Sequence, residues 1–504
     1  MSLVKRNLIA SLASSVVTAV VTLVALRYYV RLLGVEATGV IGLYFLLQAL
    51  VGPLDFGLST GLCRELAQRV AQGGSAQPMR DLLRTFEMAY VAVAVLIGIV
   101  IVAASPLIGH LWVHPVLLTR SAVTTNVMLI GLAVAAQWPL FIYQGGLTGL
   151  QRQVSLSVIG TVMQAVRFGG VIPLMIAWPS LELFFAYQAA ASLAQAAITR
   201  LWLWRCMPKS PGRAVFRWGH LKALRYFAAG MSGISITVLI INQLDKVLLS
   251  GLGLLEAFGY YTIAVQAAGG LSRVFGPILP ATLPRFAELI ARDQWAELAA
   301  LYHRCAQLLS VMLFPLAAIL AVWASPVLAA WTGEPEVVRQ ASLVLTLLTI
   351  GATLNGLFTL AYSAQLAFSW TKLTLASGVV AIAVTIPTMI VATRLYGAPG
   401  AAAAAILPNA IQLLIGVTLM HRRILKGELR RWVVVDVAMP LLACGAVAAI
   451  AAAVVPFGGS LLDTLAKLIA IAFVCLLACV LAAPQIRAIA LGYLGIGRRN
   501  TPAA

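Results

Sequence analysis

Charge is scarce in this 504-residue chain: Asp, Glu, Lys and Arg make up 10% of it, with only 16 acidic residues against 35 basic ones. So little charge cannot wrap a soluble core when 61% of residues are hydrophobic and the mean hydropathy is +0.96, so a soluble globular domain is excluded. Cysteine is sparse as well. Of the six, Cys63, Cys206 and Cys305 stand at the ends of apolar runs and Cys444, Cys475 and Cys479 lie inside them, which supports neither a disulfide framework nor a metal site. There are five histidines, and His110 and His114 are spaced to share one helix face. No carboxylate or third ligand accompanies them, so an interfacial pair beside Trp112 is the better reading. Paired-carboxylate and nucleophile motifs are missing too, and the longest segments expected outside the membrane, about 106–122 and 326–341, are too short for a catalytic domain. A membrane-embedded polymerase or ligase is therefore disfavoured, and neither an enzyme nor a cofactor is expected.

What the chain has in abundance is long apolar runs. Stretches of about 18 or more residues with few charges cross a hydrocarbon layer of about 30 Å as helices, because lipid leaves no partner for an open backbone. Fourteen are expected, at about 8–30, 38–62, 86–105, 123–148, 154–177, 181–204, 226–250, 258–284, 305–325, 342–367, 373–395, 399–420, 433–455 and 461–483. The fold class is an all-α polytopic membrane protein of about 14 transmembrane helices. Lys5 and Arg6 precede the first run, which is too long and lacks a small-residue cleavage site for a signal peptide, so it is expected to be a retained span.

Basic residues stay on the cytoplasmic side of short loops during insertion. With fourteen spans, the termini and alternate loops on the same side hold 25 of the 35 Lys and Arg, and the opposite loops hold only Arg31, Arg120, Arg339 and Arg394. Both termini are therefore expected in the cytoplasm of a bacterial inner membrane. The basic loops Arg205 to Arg225 and Arg422 to Arg431 would face anionic lipid headgroups. Because the net charge of +19 follows topology loop by loop, nucleic-acid binding is not expected.

A repeat divides the chain. Glu36-Ala37-Thr38-Gly39 recurs 220 residues later as Glu256-Ala257-Phe258-Gly259, Ala104-Ser105-Pro106-Leu107 answers Ala324-Ser325-Pro326-Val327, and Arg152 answers Lys372. A shared offset over such a distance argues for a duplicated unit. The offset carries span 1 onto span 7, an even number of crossings, so the copies run parallel. The expected organisation is two pseudo-symmetric six-helix lobes, 1–210 and 211–425, with a further helix pair and tail at 426–504, and a cleft between the lobes.

Charges inside spans are expensive, at about 2.5 kcal/mol or more even on insertion scales, and so mark functional sites by default. Arg27, Arg167, Lys246 and Arg273 are the candidate substrate-binding cations, and Asp55 and Asp245 are the carboxylates placed for coupling to a proton or sodium ion. Arg167 sits mid-span before the pair Gly169-Gly170, and Arg273 precedes Gly276-Pro277, Pro280 and Pro284, a run expected to kink its helix. Asp245 and Lys246 are adjacent and diverge by about 100° on a helix, so they need not pair. The excess of cations points to an anion-accepting cavity.

Leu33-Gly34 through Gly39, Asp55-Phe56-Gly57-Leu58 with Cys63-Arg64-Glu65-Leu66-Ala67, Gly149-Leu150-Gln151-Arg152, Asp245-Lys246 with Gly259-Tyr260-Tyr261, and Gly397 to Ala404 together resemble the Wzx-type polysaccharide flippases. The resemblance covers essentially the whole chain through short motifs. It implies the multidrug/oligosaccharidyl-lipid/polysaccharide exporter fold, two six-helix lobes around a central cavity, and a sugar on a polyprenyl pyrophosphate as substrate. Membrane lipids and polysaccharide-assembly enzymes are the other partners it implies. Fourteen spans depart from the twelve often assigned to that family and are more like the lipid II flippase branch, which stays an alternative together with a small-molecule exporter of the same superfamily.

Overall fold

In the computed structural model of the chain, residues 17–18, 21–22, 24–71, 75–252, 255–368 and 370–493 are described, with backbone only at 220–235, 280, 371 and 493. Lys5 and Arg6 and much of the first expected span lie outside them. Every regular element among the described residues is helical, as an apolar chain in lipid requires.

The chain forms two compact units, Met1–Thr262 and Ile263–Ala504. The first contains α1 (24–33), α2 (Val35–Val51), α3 (Leu58–Ala71), α4 (Ala76–Leu107), α5 (Arg120–Gln137), α6 (Leu140–Gly149), α7 (Gln153–Gln164), α8 (Val171–Ala177), α9 (Leu181–Cys206) and α10 (Trp218–Leu252), and the unit boundary falls inside α11 (Leu255–Ala268). The second continues with α12 (Gly270–Phe275), α13 (Ile278–Ala291), α14 (Trp295–Val322), α15 (Ala324–Thr332), α16 (Pro335–Ala367), α17 (Thr371–Ala404), α18 (Ile406–Ile411), α19 (Thr418–Arg423), α20 (Leu429–Arg431), α21 (Met439–Val454), α22 (Leu461–Ala482) and α23 (Pro484–Tyr493).

Nine helical stretches among the described residues are long and apolar enough to cross a membrane. They take in ten of the expected spans, because Lys372–Arg423 carries two. The other four expected spans fall on α1, α9, α10 and the series α11 to α13.

Several expected spans are interrupted. The second breaks at a 3₁₀ turn, Gly52–Asp55, followed by Phe56 and Gly57 with φ of 48° and 74°; Pro53 at the start of that turn offers no backbone donor. The eighth breaks at Gly269 and again at Gly276-Pro277, where the glycine and proline run predicts a kink. The fifth holds a π-helical turn, Ala165–Gly169, between α7 and α8. His110 ends up in another π turn, Ile108–Trp112, after which Val113 is extended. His110 and His114 therefore do not share a helix face, and His114 instead presents its carbonyl to the Leu255 N–H at 3.1 Å.

The repeat becomes a contact within the first unit. An added Cβ on Gly39 would lie 2.3 Å from the Leu255 carbonyl oxygen, and one on Gly259 would lie 2.2 Å from that of Val35. Gly39 and Gly259 are one repeat apart, as are Val35 and Leu255, so α2 and α11 meet reciprocally, as in a two-fold interface. Only glycine admits this backbone approach.

In the second unit the core of α14 and α16, including Leu313, Phe314, Leu320 and Leu357, continues onto Cys444, Cys475 and Cys479, so α21 and α22 pack on α14. A second cluster at the other end of α14 gathers Phe286, Tyr302, Phe358, Met420 and Trp432.

Candidate functional site

A π turn adds one residue per turn and frees carbonyls that an α-helix would occupy, and in a membrane each must be satisfied within the protein. At Ala165–Gly169 three successive carbonyls are satisfied by side chains. The Val166 carbonyl accepts from the Tyr187 hydroxyl at 2.7 Å, Arg167 from Gln188 Nε2 at 3.1 Å, and Phe168 from the Tyr29 hydroxyl at 2.6 Å. Gly170 is needed beside them, because a Cβ there would stand 2.4 Å from the Tyr187 hydroxyl. The turn is thereby pinned to α1 and α9, and its central residue is Arg167.

Arg167 is 3% exposed. Its Nε donates to Gln188 Oε1 at 3.2 Å, Nη1 to Gln195 Oε1 at 3.5 Å, and Nη2 to Gln137 Oε1 at 3.2 Å and to the Tyr44 hydroxyl. Gln48 donates to the same Gln137 oxygen, and the Phe168 ring lies 5.9 Å from the guanidinium carbon. Spacing explains the assembly: Gln188 and Gln195 are seven apart on α9, and Tyr44 and Gln48 are four apart on α2, so each pair shares a face. All these partners are neutral, and among the described residues no carboxylate lies within ion-pair distance of Arg167. A hydrogen bond to a charged group contributes about 1.5–3 kcal/mol, so four can hold a guanidinium whose insertion costs about 2.5–3.5 kcal/mol. They do so without neutralising it.

The other sequence candidates are placed as follows. Asp55, at the break after α2, accepts from Ser59 Oγ at 2.8 Å and from the Tyr90 hydroxyl. Asp245 and Lys246 on α10 do pair, at 3.2 Å, with Lys246 Nζ also donating to the Asn242 carbonyl at 2.6 Å. Asp245 is buried and takes a further bond of 2.5 Å from the Tyr261 hydroxyl. Arg27 is half-buried on α1. Arg273 is exposed at the end of α12, in the second unit. Asp55 and Asp245 thus each have their own tyrosine, and Arg167 has neither carboxylate.

Sequence reasoning centred on charges passed over the residues that make this site: Tyr44, Gln48, Gln137, Gln188 and Gln195. The signal was present in α9, whose glutamines at seven-residue spacing lower its hydropathy. It also missed Glu87, which is buried and bound by Arg200, Arg84 and Tyr143, and Asp81, which accepts the Val215 N–H at 3.0 Å and Arg217 Nε at 2.7 Å. Asp81 thereby fastens the basic segment after α9 to the start of α4. The repeated corners differ in use: Glu36 accepts the N–H groups of Val116, Leu117 and Leu118, at 2.5, 2.8 and 3.1 Å, whereas Glu256 accepts the Tyr260 hydroxyl at 2.9 Å.

The sequence model of a polysaccharide biosynthesis protein family matches residues 28–335, which is more than half of the chain. The chain belongs to the polysaccharide biosynthesis protein family. No curated protein sequence matches it. Among solved structures, this family member is similar to the lipid II flippase MurJ in an inward closed conformation, with a TM-score of 0.72 at 12% identity over 97% of this chain and 99% of that one. An inward-facing multidrug resistance MATE family transporter of the MOP superfamily gives 0.62 at 15% identity over 81% and 94%. A single-substitution mutant of the Vibrio cholerae MATE transporter VcmN gives 0.60 at 15% identity over 84% and 97%. This family member is thus a multi-pass membrane protein with the MurJ/MATE transporter fold.

Proposed function

We propose that the protein flips a polyprenyl-pyrophosphate-linked oligosaccharide from the cytoplasmic to the outer leaflet of the bacterial inner membrane, by alternating access and without chemistry on the substrate. The observation that carries this reading is Arg167, a guanidinium held within the membrane helices by neutral groups alone, which keeps its charge available to attract an anion. A pyrophosphate is such an anion, and membership of a polysaccharide biosynthesis family supplies the sugar. Arg27, Lys246 and Arg273 are the further cations assigned to the substrate. Asp55 and Asp245, each bound to a tyrosine hydroxyl, are assigned to ion coupling. In this reading both termini are cytoplasmic and the lobes are 1–210 and 211–425, with 426–504 as an added helix pair and tail. No enzyme activity or cofactor is invoked.

A second reading, a lipid II-type flippase, is favoured by one observation: the match to MurJ takes in 97% of this chain, against 81% and 84% for the two MATE transporters. Depletion of the protein followed by lipid extraction tests both. Polyprenyl-linked oligosaccharide accumulating on the cytoplasmic face is the expected result, and accumulation of lipid-linked peptidoglycan precursor selects the second reading. Altered glycan length with no trapped lipid intermediate overturns both in favour of a polymerase or ligase.

A further inference from the structure

The second unit holds a buried titratable cluster that the proposed function does not use. His303, on α14, is 0% exposed and stands between two carboxylates. Its Nδ1 is hydrogen-bonded to Asp436 Oδ2, and its Nε2 lies 3.0 Å from Glu428 Oε2. Asp436 is fully buried in the π turn between α20 and α21, and its second oxygen accepts from Gln307 Nε2 at 2.9 Å. Glu428 differs from these two. Its side chain is 31% exposed, and it lines a cavity of about 560 Å³ with Trp295, Phe368, Arg423 and Lys426.

Each nitrogen–oxygen contact needs a proton between its atoms. A neutral imidazole carries one, which on Nδ1 serves Asp436, and the Nε2 lone pair would then face the Glu428 carboxylate with nothing between them. Both contacts are satisfied together when the ring carries its second proton.

We propose that His303, Glu428 and Asp436 form a proton-binding site, filled from the cavity, that is separate from the candidate substrate cations. One water-borne proton binds Nε2 and gives an imidazolium held between two carboxylates, so the net charge of the three groups goes from −2 to −1 and no electrons move. Glu428 is the entry group because it alone of the three reaches the cavity. Asp436 is the fixed counter-charge that makes a buried imidazolium affordable.

The surroundings are charged from several directions. Arg431 approaches Glu428 to 4.0 Å, and Arg423 and Lys426 line the same cavity. His421 meets the edge of the Tyr302 ring, which also meets His303, and its Nδ1 is 2.9 Å from the Val417 carbonyl oxygen. The cations repel an added proton, and the two carboxylates at hydrogen-bond distance attract it. The site also reaches the last helices, because Gln307, which holds Asp436, accepts the Gln485 N–H of α23 at 2.8 Å. Filling ties Glu428 to α14, and emptying releases it.

The test uses the full chain in lipid bilayers, with ring nitrogens labelled in its five histidines, followed by nuclear magnetic resonance as pH varies between about 5 and 8. His303→Gln assigns the His303 signal by its loss. The expected result is a reversible change of that ring from imidazolium to neutral as pH rises. In Glu428→Gln, a change at the partly exposed end of the cluster, the midpoint falls by about one pH unit or more, a tenfold weaker hold on the proton. A His303 ring that stays neutral in one tautomer over the whole range, or an unchanged midpoint in Glu428→Gln, overturns the proposal.

Discussion

Arg167 differs from the other candidate charges in its company. Asp55 and Asp245 are each tied to a tyrosine hydroxyl and Lys246 to its neighbour Asp245, whereas the guanidinium rests on Gln188, Gln195, Gln137 and Tyr44. Its bonds and its charge can therefore be separated by mutation. Arg167→Gln removes the charge but keeps a polar side chain among polar neighbours. Glycan export measured in a depletion background should fall by about tenfold or more, the equivalent of about 1.4 kcal/mol, with membrane abundance by immunoblot close to normal. Export at the wild-type rate would show that the charge is not used. Arg167→Ala should also reduce abundance, because it takes a partner from three buried side chains, Gln188, Gln195 and Tyr44, at about 1–3 kcal/mol for each group left unsatisfied.

At the scale of elements, the breaks in the helices place the functional groups. The π turn in the fifth span brings Arg167 inward and pins its carbonyls to Tyr187, Gln188 and Tyr29; the 3₁₀ turn after α2 leaves Asp55 able to meet Ser59 and Tyr90. The reciprocal contact of α2 with α11 is an element-scale property as well. Gly39→Val would force a side chain into the Leu255 backbone, so the purified protein should lose about 1–3 kcal/mol of stability, seen as a lower thermal unfolding midpoint in detergent. Gly160→Ala is the control: no atom lies within 4 Å of its added Cβ, and replacing a helical glycine there should be neutral or stabilising by up to about 1 kcal/mol. Equal effects of the two substitutions would remove the case for a close α2–α11 approach.

For the whole molecule, the loop charges make a topological prediction. In intact cells, Arg339→Cys should react with a membrane-impermeant maleimide, and Lys209→Cys should react only after permeabilisation; the reverse pattern would invert the proposed orientation. The all-α class and the position of most spans were legible in the chain, because the cost of an unpaired backbone in lipid depends on local composition and length alone. The repeat was legible as short, closely similar strings at one offset. The breaks at Asp55 and Gly269 depend on which neighbouring side chains can satisfy the freed backbone groups, and the polar cage of Arg167 is assembled from α2, α5 and α9, up to 123 residues away in the chain. Glutamine and tyrosine are ordinary in composition and become a binding shell only when separate helices bring them to one point. His303 shows the same limit: its two carboxylates lie 125 and 133 residues further on. The sequence by itself determined the all-α membrane class and the position of most spans, since these follow from local hydrophobicity. Tertiary structure alone decided which charges are paired and which are not, because pairing depends on distance in space.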